Sequence, residues 1–169
     1  MLALQITSLK KFMGQLLATD TFDCFLLEEA MVKAANTISI DGRINKEFYT
    51  EGIPESDRPD LPYEFRPWSE IKSLCFDLIK GKRTPLAFRF VLHLKPEQVT
   101  SLLAGSDCSA VSDLVKAFAV TIRFDGTKAT VTTGTAFTTF VLSKEPDAIW
   151  DKALQKYFLQ KGIDYELLE

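Results

Sequence analysis

The chain has 169 residues, 46% apolar and 25% charged, which fits one globular domain and excludes a disordered tail or a coiled coil. At this length folding removes roughly 70% of the unfolded chain's surface from water, enough for a core without disulfide or metal staples. A formal charge of -3, from 20 basic and 23 acidic residues, argues against a dominant nucleic-acid-binding face and leaves room for no more than a local basic patch.

No stretch approaches the ~20 consecutive apolar residues that span a bilayer. Met1 to Ile6 is too short, and lacks the basic flank, for a signal peptide. Cys24, Cys75 and Cys108 are odd in number and far apart, which fits a reduced, cytoplasmic setting.

In chain order, Leu2 to Ile6 reads as a short strand. Leu9, Phe12, Met13, Leu16 and Leu17 then follow the stripe of an amphipathic helix. From Phe22 to Ala35 the signals conflict, with Phe25-Leu26-Leu27 favouring a strand, and Asn36 is a turn residue. Thr37-Ile38-Ser39-Ile40 alternates, and Asp41-Gly42 predicts a hairpin returning over Arg43 to Tyr49. Residues 50–67 hold Pro54, Pro59, Pro62 and Pro67, which exclude a regular helix or central strand and predict a connecting loop.

A helix over 69–80 follows, capped by Ser69, with Ile71, Leu74, Cys75, Leu78 and Ile79 on its stripe and Gly81 at its end. Leu86, Phe88, Phe90, Leu92 and Leu94 mark a strand with one deeply apolar face. Pro96 opens a short helix that Gly105 closes. Phe118 to Phe124 is a strand, Asp125-Gly126 turns it into Thr127 to Thr133, and Gly134 bends the chain into Thr135 to Leu142. A C-terminal helix over 147–161 ends at Gly162. The expected fold is α+β: antiparallel sheets with short packed helices in a single domain over 1–169.

Thr37-Ile38-Ser39-Ile40-Asp41-Gly42 matches Thr121-Ile122-Arg123-Phe124-Asp125-Gly126. The match raises a pseudo-repeat of two β-α-β-β-β units, 1–49 and 86–142. The competing reading is chance, since Asp-Gly turns are common.

Residues suited to chemistry are sparse. His93, the one histidine, lies on the strand face opposite the Leu/Phe set and reads as a surface residue. The cysteines lack a zinc pattern, and no serine sits in a nucleophile elbow. Gly81-Lys82-Arg83-Thr84 follows a helix rather than a strand, so it fails as a phosphate loop and reads as helix-end capping. Lys80, Lys82 and Arg83 stay as candidate anion contacts. Glu28-Glu29, and Asp57 with Asp60, could flank a cation, although a solvated edge explains them too. Tyr63, Phe65, Arg66 and Trp68 are the candidate partner-binding loop; covering the domain's own sheet is the favoured role for these aromatics and recognition the alternative. No catalytic, cofactor-binding or metal-binding residue is assigned and no cofactor is expected.

Phe25-Leu26-Leu27, the Thr37 to Tyr49 stretch with Ile40-Asp41-Gly42-Arg43-Ile44, and the run from Trp68 through Cys75 and Lys80-Gly81-Lys82-Arg83-Thr84-Pro85-Leu86 resemble a family of uncharacterised bacterial proteins classed as a domain of unknown function. The resemblance covers nearly the whole chain and implies no activity. Two tandem β-α-β-β-β units also resemble, in topology, a domain of the sliding DNA clamps, which ring duplex DNA with lysine-bearing helices inside. That implies inward-pointing Lys10 and Lys11, with Lys95 before the second helix. The first expectation is thus a non-catalytic cytoplasmic binding or assembly protein, with a protein partner or self-association. The alternatives are a clamp-like nucleic-acid-associated domain, or a small enzyme with carboxylate or metal chemistry around Asp23, Glu28 and Glu29.

Overall fold

Apolar residues at alternate positions of the long strands decide the architecture. The computed structural model describes residues 1–106, 108 and 110–169. Phe88, Phe90, Leu92 and Leu94 turn one way along β5 (Ala87–Leu94) and are buried. In β6 (Val115–Phe124) their cross-strand partners continue that layer: Phe124 opposite Phe88, Ile122 opposite Phe90, Val120 opposite Leu92. β7 (Ala129–Phe137) adds Val131 opposite Ile122, and β1 (Ala3–Ile6) adds Leu4 opposite Val131. On the other flank of β5, β2 (Phe25–Lys33) supplies Leu27, Ala30 and Val32. β3 (Thr37–Asp41) forms one edge and β8 (Tyr165–Leu167) the other. β4 (Arg66–Pro67) pairs with β2 on the side that β3 occupies. Among the described residues this is an eight-stranded antiparallel sheet of order β3-β2-β5-β6-β7-β1-β8.

One face of that sheet is apolar and must be covered. α1 (Leu9–Ala18) covers it with Phe12, Leu16 and Leu17, and α3 (Trp68–Ile79) with Trp68 and Cys75. α4 (Pro96–Ala104) contributes Val99 and Leu103, and α5 (Glu145–Lys161) contributes Trp150, Leu154 and Phe158. α2 (Lys46–Thr50), a single turn, buries nothing. Each large side chain so buried contributes roughly 1.5–3 kcal/mol. The aromatics also stack: Phe118 lies 5.3 Å from Trp150, and Phe88 lies 5.1 Å from both Phe90 and Phe124. Both indoles satisfy their N–H groups, Trp68 Nε1 donating to Leu16 O at 2.9 Å and Trp150 Nε1 to Ala119 O at 2.8 Å. α5 ends where Gly162 turns left-handed at φ 67, and Lys11 Nζ donates to the Gly162 carbonyl at 2.6 Å. No helix among the described residues is long and apolar enough to cross a membrane.

The structure departs from the sequence reading at particular turns. Asp41-Gly42 does not make a hairpin: β2 and β3 are joined through Ala34-Ala35-Asn36, and Arg43 to Tyr49 is not a returning strand but one isolated bridge followed by α2. Gly42 is needed for proximity, since a Cβ there would sit 1.8 Å from the Leu27 carbonyl oxygen. Gly134 does not bend the chain; β7 runs through it to Phe137 and residues 138–142 are not strand. Pro67, rather than Ser69, stands at the N-cap of α3, and α5 starts two residues before the expected Asp147. Leu74, expected on the inner stripe, is exposed. The strand pairings do not repeat between the halves: β5 pairs with β2 and β6, whereas β1 pairs with β7 and β8.

Two substitutions separate these turn chemistries. Gly42→Ala is expected to lower the unfolding free energy by about 2 kcal/mol through its clash with β2. Gly14→Ala on α1, whose Cβ meets nothing within 4 Å, is expected to raise it by up to ~1 kcal/mol; urea midpoints at constant m-value check both. In the β6–β7 hairpin, N–H groups of Lys128 and Thr127 hold the Asp125 carboxyl below its ordinary 3.8. A depressed carboxylate stabilises the fold above its unfolded-state value and loses that effect as pH falls through its folded value. Asp125→Asn is therefore expected to lower Tm by an amount that stays constant from neutral pH down to 3.8 and shrinks below it, as scanning calorimetry at several pH values will show.

Candidate functional site

The face opposite the helices carries a constellation of convergent polar groups that the fold builds from several elements. It starts with a bulge. β2 pairs with β5 as Leu27 with Leu92 and then Glu29 with Val91, so Glu28 is the extra residue. The bulge resets the alternation, and both glutamates leave the core. Glu29 Oε1 accepts from Arg89 Nη1 at 3.1 Å, while Glu28 Oε2 meets His93 Nε2 at 2.5 Å. The His93 side chain is 16% exposed and that of Glu28 41%, so the pair lies at a surface, partly sheltered.

The shelter comes from the proline-rich connection. Gly42 N donates to Glu28 O, Ile44 N to Glu64 O, and Arg66 N to Gly42 O. These bonds zip the two ends of the loop together over β2. Phe65 is thereby buried, its ring edge-on to His93 at 5.0 Å, with the Arg43 guanidinium 5.2 Å from its centroid and bonded to Glu64 at 2.6 Å. Beyond His93 the sheet surface is lined by small residues. Ala119 lies opposite both His93 and Gly134, and Ala117 opposite Ala136. The result is a cleft of about 370 Å³ with His93 and Glu28 on one wall, Phe65 and Arg43 above, the alanines and Gly134 as floor, and Lys116 at the rim. It offers one imidazole–carboxylate pair, the Arg43–Glu64 ion pair, Lys116, and a floor where a flat group can approach backbone closely.

The residues expected from sequence are placed otherwise. Trp68 is fully buried, its indole N–H donating to the Leu16 carbonyl, so it presents no surface to a partner and has the covering position favoured for it. Phe65 is buried as well, though against the cleft. Tyr63 donates its hydroxyl to Glu97 at 2.5 Å, and Arg66 pairs with Glu70 at 3.3 Å. That hydrogen bond raises the Tyr63 hydroxyl above its ordinary value and lowers the Glu97 carboxyl. The basic set is partly engaged: Lys11 caps α5, Lys80 pairs with Asp77 at 2.8 Å, and Lys10, Lys82 and Arg83 are exposed. Lys72 Nζ binds Asp23 at 2.7 Å and ties it to α3, while Glu28 meets His93 of β5. Asp57 and Asp60 are exposed. Burial pushes the Cys75 thiol up to about 11, so it stays protonated at neutral pH. No group of three or more His, Cys, Asp or Glu side chains among the described residues is arranged to hold a metal ion.

His93 itself was visible in the sequence as a residue on the polar side of its strand. Its partner was not, because Glu28 lies 65 positions away and nothing in either strand's own pattern joins the two. The floor did leave one: Ala117, Ala119, Gly134 and Ala136 put small side chains where a solvated sheet face normally carries polar ones.

Neither a curated protein nor a solved structure matches the chain. A family model does, over residues 15–166, which takes in β2, its bulge, the loop and the whole cleft. The chain thus belongs to a family of unknown function, DUF5721.

Proposed function

We propose that this protein is a non-catalytic cytoplasmic binding protein whose ligand is a small anionic molecule seated on the helix-free face of the sheet. The observation that carries this reading is the floor of paired small residues, Ala119 with Gly134 and Ala117 with Ala136, beneath Phe65 and beside the His93–Glu28 pair. Glycine and alanine are poor strand residues; the chain itself buries Ala117, but Ala119, Gly134 and Ala136 are only half-buried and gain little for the sheet unless something lies close against them. Lys116 at the rim supplies positive charge that favours an anion, Arg43 is held by Glu64 and can share its remaining donors with a ligand, and His93 with Glu28 supplies directional hydrogen bonding. The three free cysteines support a reducing compartment.

Because the chain has one histidine, a single imidazole NMR signal reports on the cleft. Titrating a panel of carboxylate- and phosphate-bearing metabolites is expected to move that signal for at least one of them. Gly134→Leu, which adds a side chain into open space, is expected to abolish the response while leaving Tm unchanged or higher. A panel that leaves the signal still, or a response that survives Gly134→Leu, contradicts the reading.

The imidazole–carboxylate pair favours one second reading, a small enzyme using Glu28 and His93 in acid–base chemistry. Glu28→Gln separates the two. A half-exposed pair of this kind is worth up to about 1 kcal/mol of stability, so the variant folds. If the site only binds, affinity falls by about tenfold or less; if it catalyses, turnover of the bound molecule falls by ~10²–10⁴ with binding retained. The clamp-like alternative has less in its favour, since Lys11 and Lys80 already have intramolecular partners and the net charge is -3.

A further inference from the structure

We infer that β3 joins the β3 of a second copy across a two-fold axis at Ser39, so that two sheets run on as one in a weak homodimer. The inference is independent of what occupies the cleft. It begins with the phase of the β2–β3 ladder. Gly42 N donates to Glu28 O at 2.8 Å and Ala34 N to Asn36 O at 3.0 Å, and the pairs between them alternate. Ile40 with Ala30 and Ile38 with Val32 therefore turn their amides and carbonyls toward β2. Those of Thr37, Ser39 and Asp41 point out along the free edge.

An antiparallel copy centred on Ser39 uses all three. Ser39 pairs with its own counterpart, and Thr37 of each copy pairs with Asp41 of the other, giving about six backbone hydrogen bonds. The side chains agree with that register. Ile38, 41% exposed because no helix reaches it, comes to lie opposite the other copy's Ile40, on the apolar face of both sheets. On the opposite face Lys33 flanks Thr37 and Glu29 flanks Asp41. Reversing one copy sets the basic end of each edge against the acidic end of the other. The strand has no proline, lysine or bulge of its own, the usual devices that keep an edge from pairing. A perpendicular two-fold axis also puts both α3 helices, with exposed Leu74 and Phe76, on the same side of the joined sheet. The opposite edge, β8, has three residues and offers no comparable ladder.

Sedimentation velocity of the whole chain over a concentration series tests this. A reversible monomer–dimer equilibrium in roughly the micromolar range is expected for so small an interface. Ser39→Pro removes an amide that points away from β2, and Ser39→Lys sets two like charges face to face; each is expected to keep the monomer's Tm and weaken the dimer at least about tenfold. Either variant suffices should the other fail to fold. A monomer at every concentration overturns the inference, as does a dimer whose affinity both folded variants leave unchanged.

Discussion

β2 has to bury Phe25, Leu27, Ala30 and Val32 against one layer of helices, and those four positions do not share one period-two alternation. The parity changes between Leu27 and Ala30. A strand can satisfy both halves only by inserting one residue into its pairing with β5, and that residue is Glu28. Without the bulge, either Ala30 and Val32 would face water with Glu29 in the core, or Phe25 and Leu27 would face water with Glu28 in the core, where an unpaired carboxylate is far costlier than a distorted ladder. The demand that creates the bulge is thus a packing demand, and the polar pair on the far side of the sheet is its by-product. Glu28 is aimed at His93 because the apolar residues on either side of it must point the other way.

The loop is fastened by the same local geometry. A bulged strand leaves the Glu28 carbonyl free to accept from Gly42, and only a residue without Cβ can come that close to Leu27. Once Gly42 is docked, Ile44 and Glu64 pair, Arg66 returns to Gly42, and Phe65 is laid over His93. Buried Trp68 then starts α3 immediately, so the loop is pinned to the core at one end and to the site at the other. A long proline-rich connection that would otherwise be free to move becomes a fixed wall.

How much of this was legible in the sequence depends on whether the deciding interaction is local. Helix stripes such as Phe12-Leu16-Leu17 and the alternation of β5 and β6 are local, and those elements stand where the pattern placed them. The two Asp-Gly pairs show where locality ends. Asp41 accepts from Arg43 N at 3.0 Å and Asp125 from Thr127 N at 2.9 Å, so both make the same small turn. Gly126 continues into a left-handed conformation at φ 101 and a hairpin, while Gly42 keeps a negative φ and presses on β2. The matching stretches that end in each glycine do not distinguish them; the neighbour from β2 does. The Glu28–His93 pair was hidden for the same reason, being joined across 65 positions by a bulge. Strands as short as β4 and β8 carry too few residues for any period to show.

The stability of the fold accounts for the apolar face and says nothing in favour of the other one. Alanine and glycine on adjacent strands β6 and β7 contribute little strand propensity, and a glycine inside a strand costs roughly 0.5–1 kcal/mol relative to alanine. Threonine, the choice at Thr121 and Thr132 one pair further along the same face, would serve the sheet better at Ala119 and Gly134. Local choices that oppose the fold without a compensating contact are where function is to be sought. Here they cluster beside a histidine held by a carboxylate and beneath a phenylalanine held by a zipped loop, so the weak strand positions and the polar pair mark the same few square nanometres of surface.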